Sequence, residues 1–168
     1  MKNLHHPLLL TASLLLACGS AQTPRALEDP GAFERLTAIA GTWQTTSEGG
    51  TTTADYALLS RGTALVETWT GTSGARTLTV YHPDGDTVRL THYCAQGNQA
   101  RLRLTEASAT RFRFEREDVT NLLPDHSVLS ILILSIENGQ LVRTETYVDS
   151  HGVPETESVL RFDRVPPG

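Results

Sequence analysis

His92-Tyr93-Cys94 is the part of this sequence whose residue types could do chemistry at close quarters. In an extended strand, residues two apart face the same way. This puts an imidazole and a thiol about 7 Å apart on one surface. Both groups ligate soft metals and haem iron. Two ligands from one strand fall short of a metal centre, however, and spacing fixes no third. The plainer reading is a buried, hydrogen-bonded histidine beside a cysteine that packs as a small apolar side chain. Asn98, Gln99 and Arg101 cluster around the turn that follows. They offer hydrogen bonds to a carboxylate or sugar, and turn chemistry is the alternative. Glu67 shares a strand face with Leu65 and Trp69. Turned inward, it needs a buried cation to stay ionised, and Arg76 and Arg143 are the candidates. Turned outward, it forms an ordinary surface ion pair.

Recognisable enzyme motifs are absent from the sequence. It contains no Gly-x-Ser-x-Gly, His-Glu-x-x-His, Cys-x-x-Cys, phosphate loop or dinucleotide fingerprint. This favours binding without catalysis and calls for no cofactor. Formal net charge is −5, and Lys2 is the only lysine, so the rest of the chain sets 13 arginines against 19 acids. Such an acidic domain is a poor partner for nucleic acid phosphates. Arg101, Arg103, Arg111 and Arg113 form outward rows on two consecutive strands. They suit either anionic headgroups or a solvated face diluted by Glu106, Glu115 and Glu117.

The elements that must position these residues are strands. Short alternating segments are expected near 42–48, 51–60, 63–71, 75–82, 86–95, 100–106, 109–118, 127–137, 140–148 and 155–164. Between them lie turn pairs such as Asp84-Gly85 and Asn138-Gly139, whose residues accept positive φ. A short helix is expected after Asp29-Pro30, with Phe33, Leu36, Ile39 and Ala40 on one side and Gly41 at its end. An up-and-down sheet of this length has two raw edges, and closure into a barrel removes them.

If Pro83-Asp84-Gly85 is a three-residue turn, Val80 lies opposite Val88 and Leu78 opposite Leu90. Leu78, Val80, Leu90, Phe112 and Phe114 then line the interior, with His92 and Cys94 among them. His82 and Asp84 bracket that turn in structural roles. Residues Val128–Ile136 are apolar on both faces, which calls for outer cover by the helix or a second subunit. The irregular stretch Val119–His126, with Pro124, is the candidate loop over a barrel mouth, where Asp125 and His126 fall.

Residues 1–21 read as an export signal: Lys2 precedes an apolar run through Leu16 that is short for a membrane span. Leu15-Leu16-Ala17-Cys18 resembles the lipobox of bacterial lipoproteins, in which the cysteine is lipidated. Cleavage after Ala21 is the alternative. Residues 22–29 then form a tether and 30–166 one domain. The expected location is outside the cytoplasm, either lipid-anchored in the cell envelope through Cys18 or soluble in the periplasm or medium. Any membrane contact runs through that anchor. With Cys18 lipidated or removed, Cys94 stands without a disulfide partner. Oligomeric state is open.

Gly41-Thr42-Trp43, placed at the first strand after a short helix, resembles the Gly-x-Trp signature of lipocalins and their calycin relatives. The resemblance implies that Trp43 plugs the closed end under an arginine from near the last strand, Arg161 or Arg164. The block Thr79–Asp86, continuing through Leu90–Gln99, is similar to an uncharacterised group of exported bacterial proteins with lipocalin-like barrels. It differs from that group at Ala100, where the group usually carries proline. The expected fold is therefore all-β, a single antiparallel up-and-down barrel of about ten strands with an N-terminal capping helix.

The expected function is non-catalytic binding of a small hydrophobic or amphiphilic molecule. Leu78, Val80, Leu90, Phe112 and Phe114 would supply apolar wall. His92, Cys94, Asn98, Gln99 and Arg101 would be the polar candidates. One alternative is a haem- or metal-binding or enzymatic barrel centred on His92 and Cys94. Nitrobindin, another calycin-like barrel, takes its axial histidine from late in the chain, where this sequence has only His151 in a turn. The other alternative is a structural envelope lipoprotein whose barrel is filled by its own side chains.

Overall fold

Each strand pairs with the next in sequence, and the last returns to the first, so no sheet edge is left open. The structure is a computed structural model that describes residues 25–166. The expected export segment, including Cys18, lies outside the described residues. A short helix, α1 (Ala32–Leu36), and a 3-10 turn (Thr37–Ile39) lead into the strands. The strands are β1 (Gly41–Ser47), β2 (Gly50–Leu59), β3 (Ala64–Thr70), β4 (Arg76–Asp84) and β5 (Thr87–Tyr93). They continue with β6 (Gln99–Ala107), β7 (Arg111–Thr120), β8 (Val128–Glu137), β9 (Gln140–Val148) and β10 (Ser158–Arg164). The result is a closed ten-stranded antiparallel barrel, consistent with a calycin-like fold.

The seam is the β1–β10 pair, held by Trp43 opposite Arg164 and Gln44 opposite Asp163. Val165 N–H to the Thr42 carbonyl extends it. The helix sits at the barrel end where β1 starts and β10 finishes. There Ala32, Leu36 and Ile39 are buried with Trp43. Residues 25–29, part of the expected tether, lie against this end: Leu27 N–H reaches the Leu104 carbonyl and Asp29 N–H the Asp86 carbonyl. Inward side chains fill the half of the lumen nearest the helix, among them Leu65, Tyr81, Leu90, Leu102, Leu104, Phe114 and Phe162. Each such side chain contributes about 1.5–3 kcal/mol by leaving water.

Leu90, Phe112 and Phe114 face inward as the alternation predicts. Leu78 and Val80 do not, and the expected register of β4 is corrected here. Asp84 pairs with Thr87, so the loop has two residues, Gly85 and Asp86, with φ +61° at Gly85. Tyr81 therefore lies opposite Leu90, and Val80 opposite Thr91. An odd shift in register exchanges the faces of a strand. Thr79 and Tyr81 are fully buried, while Leu78 is 37% exposed.

The helix does not cover β8; its contacts are with β5. Ile131 and Ile133 remain half-buried on the outer wall beside the neighbouring strands.

Candidate functional site

Inside the barrel, the row Tyr56, Glu67, Thr79, His92, Ala100 runs across five consecutive strands in hydrogen-bonded register. All five are buried. Glu67 is fully buried, and its partner is Arg143 from β9, with Arg143 Nη1 2.7 Å from Glu67 Oε2. Between β3 and β9 stand β2, β1 and β10, so this ion pair spans the lumen. Tyr81 donates its hydroxyl to the same Oε2 at 2.6 Å. Arg143 Nη1 also approaches the Tyr56 hydroxyl at 3.4 Å. Its Nε and Nη2 donate to Glu145 Oε1 at 3.0 and 2.8 Å.

The guanidinium carbon of Arg143 lies 5.1 Å from the Trp69 ring centroid, and Trp69 stacks edge-on against Phe162 at 5.3 Å. Trp69, Glu145 and Tyr147 continue this wall toward the end away from the helix and are only partly buried. Burial and the neighbouring Glu67 push the Tyr81 and Tyr56 hydroxyls well above the ordinary tyrosine range. Both remain protonated, Tyr81 donating to Glu67 and Tyr56 accepting from Arg143.

Two polar atoms in this interior have no partner. Glu67 Oε1 accepts nothing, and His92 Nε2 is likewise unengaged. The other ring nitrogen, His92 Nδ1, lies 3.0 Å from the Thr79 hydroxyl. Burial, reinforced by the Arg143 charge, holds the His92 pKa below the ordinary 6.5, so the ring is neutral at neutral pH. A buried carboxylate oxygen without a donor costs on the order of 1–3 kcal/mol.

Only some of the residues expected at the site gather here. His92 does. Cys94 is half-buried in the turn after β5, where its N–H bonds the Asn98 carbonyl. Among the described residues, no cluster of three or more His, Cys, Asp or Glu is arranged to hold a metal ion.

Asn98 is buried; its Nδ2 donates to the Ser127 carbonyl, while its Oδ1 has no partner. Gln99 bonds the Gly97 carbonyl and the Thr120 hydroxyl. With Gln96 on Ser127 and Asn121 on the Gly97 carbonyl, these amides tie loop 121–127 to the neighbouring hairpin. Leu122 tucks from that loop against the core.

Arg101 lies on the outer wall, bidentate to Asp118. Arg103 pairs with Glu117, and Arg113 with Glu115. Arg161 is also outside, bonded to Glu137 at 3.0 Å. Arg164 is the arginine over Trp43, 4.4 Å from its centroid. It also donates to the Ala40 and Ala38 carbonyls at the end of the 3-10 turn.

Three surface concavities of about 390, 400 and 260 Å³ open on the outer wall. The second lies across β3, β4 and β5 beside Leu78 and Tyr93. From the sequence, Glu67 needs a cation only if it is turned inward, with Arg76 or Arg143 as candidates; the structure turns it inward onto Arg143. Sequence reasoning missed Tyr56, Tyr81 and Glu145, whose only signal is alternation in phase with Glu67 or Arg143. No family model matches the chain, and no curated protein matches it.

Proposed function

We propose that this chain is a binding barrel, without catalytic activity, that takes a small amphiphilic molecule into the end of the lumen away from the helix. The unpartnered Glu67 Oε1, deep in a buried polar cluster, is the observation that carries this reading. A bound polar group would supply its missing hydrogen bond. His92 Nε2 offers a second contact two strands along the same row. Trp69 and Tyr147 supply aromatic wall, matching the mix of apolar surface and few polar groups that suits small-molecule sites. The reading needs no cofactor and no nucleic acid. On this reading residues 1–21 serve as an export signal, and the barrel acts outside the cytoplasm, anchored by lipid at Cys18 or released.

Purified full-length protein tests this directly. Organic extraction with mass spectrometry should recover a bound lipophile, or alkyl probes should bind one per barrel and change Trp69 fluorescence. A panel of lipophiles that neither binds nor is recovered would overturn the proposal. It would favour a structural barrel instead, a reading supported by the close filling of the lumen beside the helix.

A further inference from the structure

The charge inventory of the lumen narrows the ligand class. Two carboxylates, Glu67 and Glu145, face a single guanidinium, Arg143. His92, kept neutral, does not balance the difference. Oxygen Oε2 of Glu67 receives donors from both Tyr81 and Arg143, while Oε1 receives none. Arg143 spends Nη1 on Glu67, and Nε and Nη2 on Glu145. One face of that guanidinium lies over Trp69, and each of its three nitrogens is already engaged with a carboxylate.

From this arrangement we infer that the head group taken at this site is a nitrogen cation, an ammonium or amidinium on an apolar body, held by Glu67 Oε1. This rests on the lumen-binding reading above and specifies its ligand. A cation supplies the donor that Oε1 lacks and balances the second carboxylate. An anionic head would add a third negative charge to a site from which water is excluded, which is strongly opposed. A neutral hydroxyl would satisfy Oε1 and leave the charge excess. The half-buried ring of Tyr147 attracts cations through its face as well.

The test compares three probes with the same chain on the wild-type protein: decylammonium, decanol and decanoate. Calorimetry at physiological salt suppresses loose attraction to the acidic surface. Decylammonium should bind one per barrel, about tenfold or more tighter than decanol, with decanoate weakest. Glu67→Gln should bring decylammonium and decanol to within about twofold of each other, chiefly through loss of decylammonium affinity. Should that variant not fold, Glu145→Gln is expected to cut the same preference severalfold. Decanol or decanoate binding as tightly as decylammonium to the wild type would overturn the cation assignment and leave lumen binding standing. Binding of none of the three overturns both.

Discussion

Arg143 and Glu67 meet across the barrel lumen, 2.7 Å apart, from residues 76 positions distant in the chain. The pair ties β9 to β3, strands that share no backbone hydrogen bond. Removing one partner leaves the other charge buried, a loss of about 3–5 kcal/mol. Arg143→Met should therefore lower the urea midpoint sharply. Glu67→Gln should cost less, because the amide still accepts from Tyr81 and Arg143 keeps Glu145. Replacing both by apolar residues of similar size should recover much of the loss. A double variant no better than the worse single one would show that the pair is not what those variants disturb.

His92 gives the barrel a predicted acid sensitivity. Its folded pKa lies below the unfolded value of about 6.5. In the window between the two values the unfolded chain binds the extra proton and the folded one does not. Stability contributed by neutral His92 is therefore intact above pH about 6.5 and declines as pH falls through that window. Below the folded value the slope vanishes. Chemical denaturation at several pH values should show this slope in the wild type and a flatter profile in His92→Gln. Identical profiles would remove His92 as the cause.

At the closed end, Gly41 and Arg164 form one unit. Gly41 has φ +125°, and a Cβ there would come within 2.9 Å of Arg164 Nη1. Gly41→Ala should cost about 2–3 kcal/mol through backbone strain and displacement of the arginine. Arg164→Ala loses two hydrogen bonds to the turn and the contact with Trp43, together about 1–3 kcal/mol. Lysine at that position cannot reproduce the fork, so Arg164→Lys should fall between. Thermal melts followed by tryptophan fluorescence rank the three. Arg164→Lys matching the wild type would show that charge alone suffices.

On the outer wall, Arg89 lies directly opposite Arg103, an unfavourable cross-strand placement by itself. Glu117, whose side chain is only 10% exposed, bridges both. Glu117→Gln leaves the two arginines facing each other without their shared acid. The expected loss is about 1–2 kcal/mol at low salt and smaller at 1 M salt, where screening acts over about 3 Å. A loss independent of salt would point to packing at the neighbouring bulge between Arg101 and Leu102 instead.

Local patterns in the sequence were enough for the architecture. Alternation with period two, turn pairs such as Asn138-Gly139, and Gly41-Thr42-Trp43 after a one-sided helix each act over a few residues. Pleat and positive φ are local causes, and the unpaired edges of so long a meander supply the drive to close. That Glu67 would need a cation if turned inward was legible too, because burying a lone charge is prohibitive, but whether it faced inward and whether Arg76 or Arg143 met it were left open.

Tertiary structure alone decided the phase of β4 and the membership of the site. Pro83-Asp84-Gly85-Asp86 accommodates a turn of two or three residues at similar local cost. Choosing two sends Tyr81 inward to Glu67 and leaves Leu78 at the surface. That choice is made by satisfying the carboxylate, a contact between different strands. Tyr56, Glu145 and the tying of loop 121–127 by Asn98 and Gln99 were likewise hidden. Their partners are distant in sequence, and no local preference reports which residues closure of the sheet will bring together.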